Sequence, residues 1–381
     1  QGTTLGLVSA PAADKKDGIT MPEETSGSGI AYRCAEESDL PDIEALKSKV
    51  YGGASQTTWA QRWTWQFVQH PWRPQGAPSN FLLAEIRGKL AGGIGWMPTF
   101  LDWEGKEIPS AFGCDLFVDP ETRGHGLGKL LIDRVVHEHS ADSLWMNFDA
   151  AGARHYGRRG FTPVAPVNFI MLVVDPGRIL KARGKGLLGA LAGWTGGVVR
   201  TLIRARTRAA LPSGVEIRPV TEFGEGFDRL DRALRRPDRV RLRRDASYLK
   251  WRYLDFPTGP YEVLAAEQGR DVLGYVVFRS RTNRGEEIGL INELEVDPRF
   301  PGLARALLGN AVQTLLPRGL SFIRAMPTHS EETRVFSGLG FLDTRKTPYL
   351  YVAPGVAQKL GLPADSSRWC LSMGDSDLDY A

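Results

Sequence analysis

The sequence predicts a mixed α/β protein in which a mostly antiparallel central sheet is flanked by helices and the whole plan occurs twice. Three observations carry this reading. Runs of strand formers alternate with stretches of helical spacing along the 381 residues. Landmarks in the second half repeat those of the first at a nearly constant offset. One strand end leads through three glycines, at every second position, into an amphipathic helix.

In chain order, residues 1–29 mix Ser, Gly, Thr and Ala without apolar periodicity and read as a disordered leader rather than a secretory signal. A strand follows at Ala31–Cys34, then a helix begun by Ser38 or Asp39 as cap, with Pro41 in its first turn. An aromatic-rich stretch runs from Trp59 to Trp72. Strands are expected at Phe81–Ile86 and Ala91–Met97 around Arg87-Gly88-Lys89, and a hairpin arm at Thr99–Gly113 around Glu104-Gly105-Lys106. Asp115-Leu116-Phe117-Val118-Asp119-Pro120 then leads into Arg123-Gly124-His125-Gly126-Leu127-Gly128-Lys129. Leu127, Leu130, Leu131 and Val135 share one helical face beyond it. A strand over 143–148, a short helix ending in His155-Tyr156 and a last strand over 167–174 complete the copy.

The second copy begins at Val215–Arg218. Ser247–Arg252 echoes the tryptophan stretch, Tyr261–Phe278 echoes the hairpin at 81–97, and Leu294–Pro298 repeats Leu116–Pro120 at an offset of 178. Gly340-Phe341 repeats Gly160-Phe161 at an offset of 180. The predicted division is therefore a leader to residue 29, a first domain over 30–175, a basic amphipathic linker over 176–213 and a second domain over 214–381.

A strand, a glycine turn and a helix N-terminus make an anion site, because glycines let backbone approach the anion and the first helical amides lack internal partners. The phosphate-loop pattern fails: Arg123 stands where its first glycine belongs and Leu130 replaces its Ser or Thr. The dinucleotide fingerprint fails at Lys129. Arg-Gly-x-Gly-x-Gly after a Val-Asp-Pro strand end instead resembles the acyl-CoA signature of the GCN5-related N-acetyltransferase (GNAT) superfamily, so the chain looks like two tandem acyl-CoA N-acyltransferase-like domains. The resemblance implies that acetyl-CoA is the co-substrate, held by Phe117, Val118 and the turn Arg123, Gly124, His125, Gly126, Leu127, Gly128 and Lys129. It implies direct transfer to the amine of a small acceptor, such as an amino sugar or a nucleotide-linked one. Tyr156, in the Tyr-x-x-x-Gly-Phe pattern, would protonate the leaving thiolate. Asp115 would take the amine's proton through water, and Asp149 would bind the acceptor amine or take its proton. A non-catalytic acyl-CoA-binding module is the rival from another class, and an acyltransferase working at a membrane surface on longer acyl chains is a second.

The second copy has Pro301-Gly302-Leu303-Ala304-Arg305-Ala306 where the turn should be and Phe336 where Tyr156 should be, so it reads as catalytically silent. Three cysteines without a CxxC pair argue against a disulfide framework or a zinc site and for a reducing compartment, hence a cytoplasmic location and no metal. Trp59, Trp63, Trp65 and Trp72 either line the acceptor side or form core. The arginines Arg235, Arg236, Arg239, Arg241, Arg243 and Arg244 read by default as a solvated basic helix, with an anionic acceptor as the alternative. Between Asp175 and Glu216 there are eight Lys or Arg and no acidic residue. With positive charge so localised, a general nucleic-acid binder is not expected. The segment 178–211 reads as a helical bridge packed between the copies, with membrane-surface contact possible but not favoured. A homo-oligomer is possible.

Overall fold

The computed structural model describes residues 29–52, 59–139, 144–149, 156–283, 285–300, 302–345 and 349–379; the expected leader and the helix before Tyr156 lie outside them. The first half contributes strands β1 (Ile30–Cys34), β2 (Phe81–Ile86), β3 (Lys89–Trp103), β4 (Lys106–Val118), β5 (Leu144–Asp149), β6 (Thr162–Pro166) and β7 (Ile170–Val173). The second contributes β8 (Glu216–Pro219), β9 (Val240–Leu242), β10 (Glu262–Gln268), β11 (Asp271–Asn283), β12 (Glu286–Val296), β13 (Phe322–Ala325), β14 (Leu342–Asp343), β15 (Tyr349–Val352) and β16 (Trp369–Cys370).

The two sheets have one topology. The first runs β1-β2-β3-β4-β5-β15-β6, with β9 joined to β3 and β16 to β9 off this path, and the second runs β8-β10-β11-β12-β13-β7-β14; each seven-strand path is antiparallel except for one parallel pair in its middle. The last strands are exchanged. β7, expected to finish the first copy, pairs with β13 and β14 of the second, while β15 enters the first sheet between β5 and β6. Sequence order and sheet membership therefore part company beyond residue 170.

The exchange is one sign of an approximate two-fold axis. Another is at the contact between halves, where the helix α2 (Trp59–Trp63) runs into a π turn at Thr64–Val68, and its counterpart after Ala246–Leu249 does so at Lys250–Leu254. Trp65 and Trp251 stack there at 4.6 Å and 10°. Each indole N–H donates to the other's carbonyl, at 2.7 and 2.9 Å. The largest apolar cluster accordingly mixes both halves, with Trp65, Phe67, Trp251, Tyr253 and Trp369 among its members. The tryptophan stretch is thus core rather than acceptor wall, and Trp59, Trp63 and Trp65 are all buried.

The arginine cluster forms no basic helix. β9 within it pairs with β3 and with β16, and two of its guanidinium groups are buried. Arg244 meets Glu293 and Glu295 at 2.9 Å and Asp375 at 2.7 Å, and Arg241 pairs with Asp231. Arg235 and Arg243 reach Glu107 of the first half. The cluster is a set of internal ties.

The linker forms three helices, α4 (Pro176–Ala182), α5 (Gly186–Leu191) and α6 (Thr195–Arg206). It was expected as a packed bridge, yet only one face packs: Gly196, Ile203 and Thr207 are buried, while Leu187, Leu191, Trp194 and Leu202 are exposed. No helix among the described residues is long and apolar enough to cross a membrane.

Candidate active site

β4 and β5 are parallel and paired only at Ser110–Phe112, so beyond Phe112 the two strands diverge. A bulge accompanies the divergence. The pairing of β3 with β4 skips a residue between Gly93 and Gly95, and Asp115 there takes φ +50°. At the wide end of the gap, β4 passes through Asp119 and Pro120 into the helix α3 (Leu127–His139), and a cleft of about 590 Å³ opens between them.

The turn is built for an anion. Thr122 and Arg123 amides bond back to Asp119 and Pro120, and those of Lys129 and Leu130 close onto the Gly126 carbonyl. Among the described residues, the amides from Gly124 to Gly128 have no protein acceptor. Gly124 (φ +90°) and Gly126 (φ +76°) supply the left-handed conformations that keep this run of N–H groups turned outward. Arg123 and Arg159 line the cleft without an acidic partner among the described residues, and Lys129 lines it 3.6 Å from Asp133.

The cleft brings most of the sequence-derived residues together. Phe117, Val118, Arg123, Gly124, Gly126, Leu127, Gly128, Lys129 and Tyr156 all line it. His125 does not; it is exposed, its Nδ1 3.4 Å from the Arg123 carbonyl. Tyr156 is buried at the cleft wall, with its ring against Phe161 at 5.0 Å and stacked on Tyr351 at 5.8 Å. Tyr351 belongs to β15, so the second half backs the tyrosine of the first. Asp149 ends β5 opposite Tyr349, and its side chain lies outside the described residues.

Asp115 occupies a different surrounding. It is ion-paired to buried Lys47 at 2.5 Å, and Lys47 lies 4.3 Å over the ring of Trp59. Burial pushes the Asp115 carboxyl up, but Lys47 and Arg62 outweigh it and hold the group below the usual carboxylate range. Such a carboxylate stays ionised and is a weak proton acceptor. Burial lowers the Lys47 ammonium, with Asp115 opposing. Beside this pair comes Asp377 from the C-terminal segment, its pKa pushed up to about 6 by burial and by the Asp115 charge. Cys114 is buried, with its thiol pushed well up and its sulfur accepting from Gln66 Nε2.

Lys47, Arg62, Tyr351 and Asp377 were not singled out from the sequence. Lys47 had a signal, because Ile43, Leu46, Lys47 and Val50 follow helical spacing and the lysine sits in the core stripe of α1 (Leu40–Tyr51). Asp377 had none.

The second half holds a counterpart cleft of about 360 Å³ beside Leu294–Pro298 and the helix α9 (Leu303–Leu315). It lacks the glycine run. Glu293, 178 residues on from Asp115, is buried between the hydroxyls of Tyr253 and Tyr275, which donate to it, and the Arg244 guanidinium. Burial lifts its pKa to about 7.

Comparison with known proteins agrees with this geometry. Residues 77–163 match the acetyltransferase (GNAT) domain family, a span from β2 through the cleft to Tyr156 and its Gly-Phe. An uncharacterized N-acetyltransferase of Methanocaldococcus jannaschii is 27% identical over 139 residues, which cover 34% of this chain and 59% of that protein. The match thus spans less than two thirds of that relative. Among solved structures, Saccharomyces cerevisiae N-myristoyltransferase with bound myristoyl-CoA superposes over 88% of this chain and 85% of its own, at TM-score 0.58 and 15% identity. A GCN5-related N-acetyltransferase from Anabaena variabilis superposes over 85% and 72%, at TM-score 0.59 and 14% identity. At these identities the likeness is one of fold, and it extends across both halves. Residues 77–163 thus match an acetyltransferase (GNAT) domain that contains the signature turn, and the chain as a whole shares the fold of these structures.

Proposed function

We propose that the chain is an acyl-CoA-dependent N-acyltransferase that moves an acetyl group onto the amine of a small acceptor by direct attack, working from the cleft of its first half. The observation that carries this is the run of unpartnered amides from Gly124 to Gly128, opening into the same cleft as Tyr156. The residues present fit a diphosphate. Left-handed glycines hold the donors outward, and Arg123, Lys129 and Arg159 add three cations. Bound there, the thioester would supply an activated acyl carbon.

The chain's own residues supply the proton chemistry. The Tyr156 hydroxyl gives its proton to the departing sulfur, and its ring is held for this by Phe161 and Tyr351. Attack requires a neutral amine. Asp377, with a pKa of about 6, accepts the amine's proton better than Asp115, whose carboxylate is held by Lys47. The Asp115 charge, held ionised by Lys47, helps burial keep Asp377 raised, with Arg62 opposing. Asp149 remains an acceptor-side candidate from the end of β5.

Replacing Tyr156 by Phe tests the reading. Expected are a fall in turnover of about 100-fold or more and an unchanged affinity for CoA, measured by thiol release and calorimetry. Turnover that survives removes Tyr156 from the mechanism, and absence of calorimetric heat with CoA removes the reading itself. Acyl groups longer than acetyl are the second reading, favoured by the likeness to the myristoyl-CoA-bound yeast enzyme. A series of acyl-CoA chain lengths separates the two.

A further inference from the structure

The described residues expose eleven large apolar side chains above about a third of their surface, and seven of them lie between Leu187 and Leu211. Scattered exposed leucines are ordinary, whereas a contiguous group marks a contact surface. Leu187 is 79% exposed, Leu191 62% and Trp194 76%, with Leu188, Val198 and Leu202 each above half. Trp194, Val198 and Leu202 recur every fourth residue, so they share one side of α6.

The opposite side of that helix is fixed. Gly196 lies against the Asp175 carboxylate, Ile203 is buried, and the Thr207 carbonyl sits so close to Gly309 of α9 that a side chain there would collide with it. α4 and α5 pack backbone to backbone through Gly177, Gly189 and Gly193. The exposed stripe is therefore displayed by a rigid platform, not left over from a loose loop.

Its charge points to one kind of partner. No acidic residue occurs from 176 to 215. Arg178 and Arg200 are engaged by Asp175. Lys181, Arg183, Lys185, Arg204, Arg206 and Arg208 have no acidic partner among the described residues. Leucine, valine and an exposed tryptophan on a segment that carries unpaired cations and no acidic residue form the pattern of a surface that lies in the headgroup region of a bilayer. We infer that helices α4 to α6 seat the protein on an anionic lipid surface, with Leu187, Leu191 and Trp194 entering the headgroup boundary and the lysines and arginines facing lipid phosphates. Since no described helix can span a bilayer, the contact is peripheral.

Co-sedimentation of the full chain with sucrose-loaded vesicles tests this. Vesicles of phosphatidylcholine with one part in three phosphatidylglycerol should carry the protein down, and phosphatidylcholine alone should not. The Lys181→Ala, Arg183→Ala and Lys185→Ala variants should each lower partitioning about fivefold, and high salt should do the same to the wild type. The combined Leu191→Ser and Trp194→Ser variant should lose binding with an unchanged circular dichroism spectrum and melting temperature, because both side chains are exposed. Brominated lipid should quench tryptophan emission in the wild type and less in Trp194→Phe. The inference is overturned if anionic vesicles do not carry the chain down or if the Leu191→Ser, Trp194→Ser variant still binds them. It is equally overturned if sedimentation equilibrium without lipid shows a dimer that this variant dissolves, which would make the stripe a contact between copies.

Discussion

Replacing Gly126 by alanine isolates what the turn contributes. Gly126 has φ +76°, and a Cβ built on it meets no heavy atom within 4 Å. The substitution therefore creates no clash, and its whole cost is that of holding an L-residue in the left-handed region, about 1–2 kcal/mol. In the free protein this exposed turn can relax and avoid that cost. Ligand binding then has to restore the conformation, so the cost appears in affinity: at about 1.4 kcal/mol per tenfold, CoA should bind roughly 5- to 30-fold more weakly. Gly128 is the internal control. Its φ is not left-handed, and its Cβ would lie 3.4 Å from Val118 Cγ2, an ordinary contact. Gly128→Ala should leave the melting temperature unchanged or slightly higher, since alanine favours a helix over glycine. Isothermal titration with CoA and a thermal melt on both variants give the answer. The reasoning fails if Gly126→Ala binds CoA as the wild type does. It also fails if the melting temperature falls while affinity holds, because the turn would then be a structural element and not a cradle.

Asp377, raised to about 6 and needed unprotonated, should make kcat/KM climb as pH rises through 6 and level off above it, and Asp377→Asn should lack that limb. The sign for stability is opposite: a carboxyl raised in the folded state favours folding below its unfolded pKa near 4, and this share is lost as pH rises through 6, readable in urea midpoints. Tyr351→Leu removes the ring stacked on Tyr156 and should lower kcat about three- to tenfold with little change in KM for acyl-CoA, measured by steady-state thiol release. Arg244→Ala leaves Glu293, Glu295 and Asp375 without their shared cation in a buried site, and should cost about 3–5 kcal/mol by chemical denaturation.

What the sequence disclosed is what short-range pattern encodes. Leu116 through Gly128 read correctly as strand, turn and helix because each element is set by neighbours within a few residues. The repeat itself was legible at offsets of 178 and 180, and the duplicated sheet follows it. Partner choice was not legible. An offset shows that Ile170–Val173 and Tyr349–Val352 are equivalent, but not that each pairs with the other copy's strands. The arginines at 235–244 failed for a similar reason: their burial depends on carboxylates such as Glu293 and Asp375, up to 131 residues away. Local composition alone suggested a solvated face. Lys47 lies between these cases, visible as a lysine in a core stripe yet without any sign of Asp115.

The exchanged strands explain why a second copy without a glycine turn is kept, and they make a prediction of their own. β15 lies between β5 and β6, so without the second half β6 loses its described sheet partner and β5 keeps only three paired positions with β4. Tyr156 would lose Tyr351, and Asp115 would lose the company of Asp377. The reverse also holds, because β7 joins β13 to β14. A cut in the segment at Ala210–Pro212, just beyond α6, crosses no sheet. Fragments 1–210 and 211–381 produced together should therefore co-purify one to one and bind CoA, held by the exchanged strands and the Trp65–Trp251 contact. Fragment 1–210 produced alone should be insoluble or show no cooperative melt, since it would expose both an unpaired edge of β5 and the tryptophan face. Recovery of that fragment as a folded monomer that binds CoA would mean that the second half is an appendage, and that the exchange matters neither to the cleft nor to its chemistry.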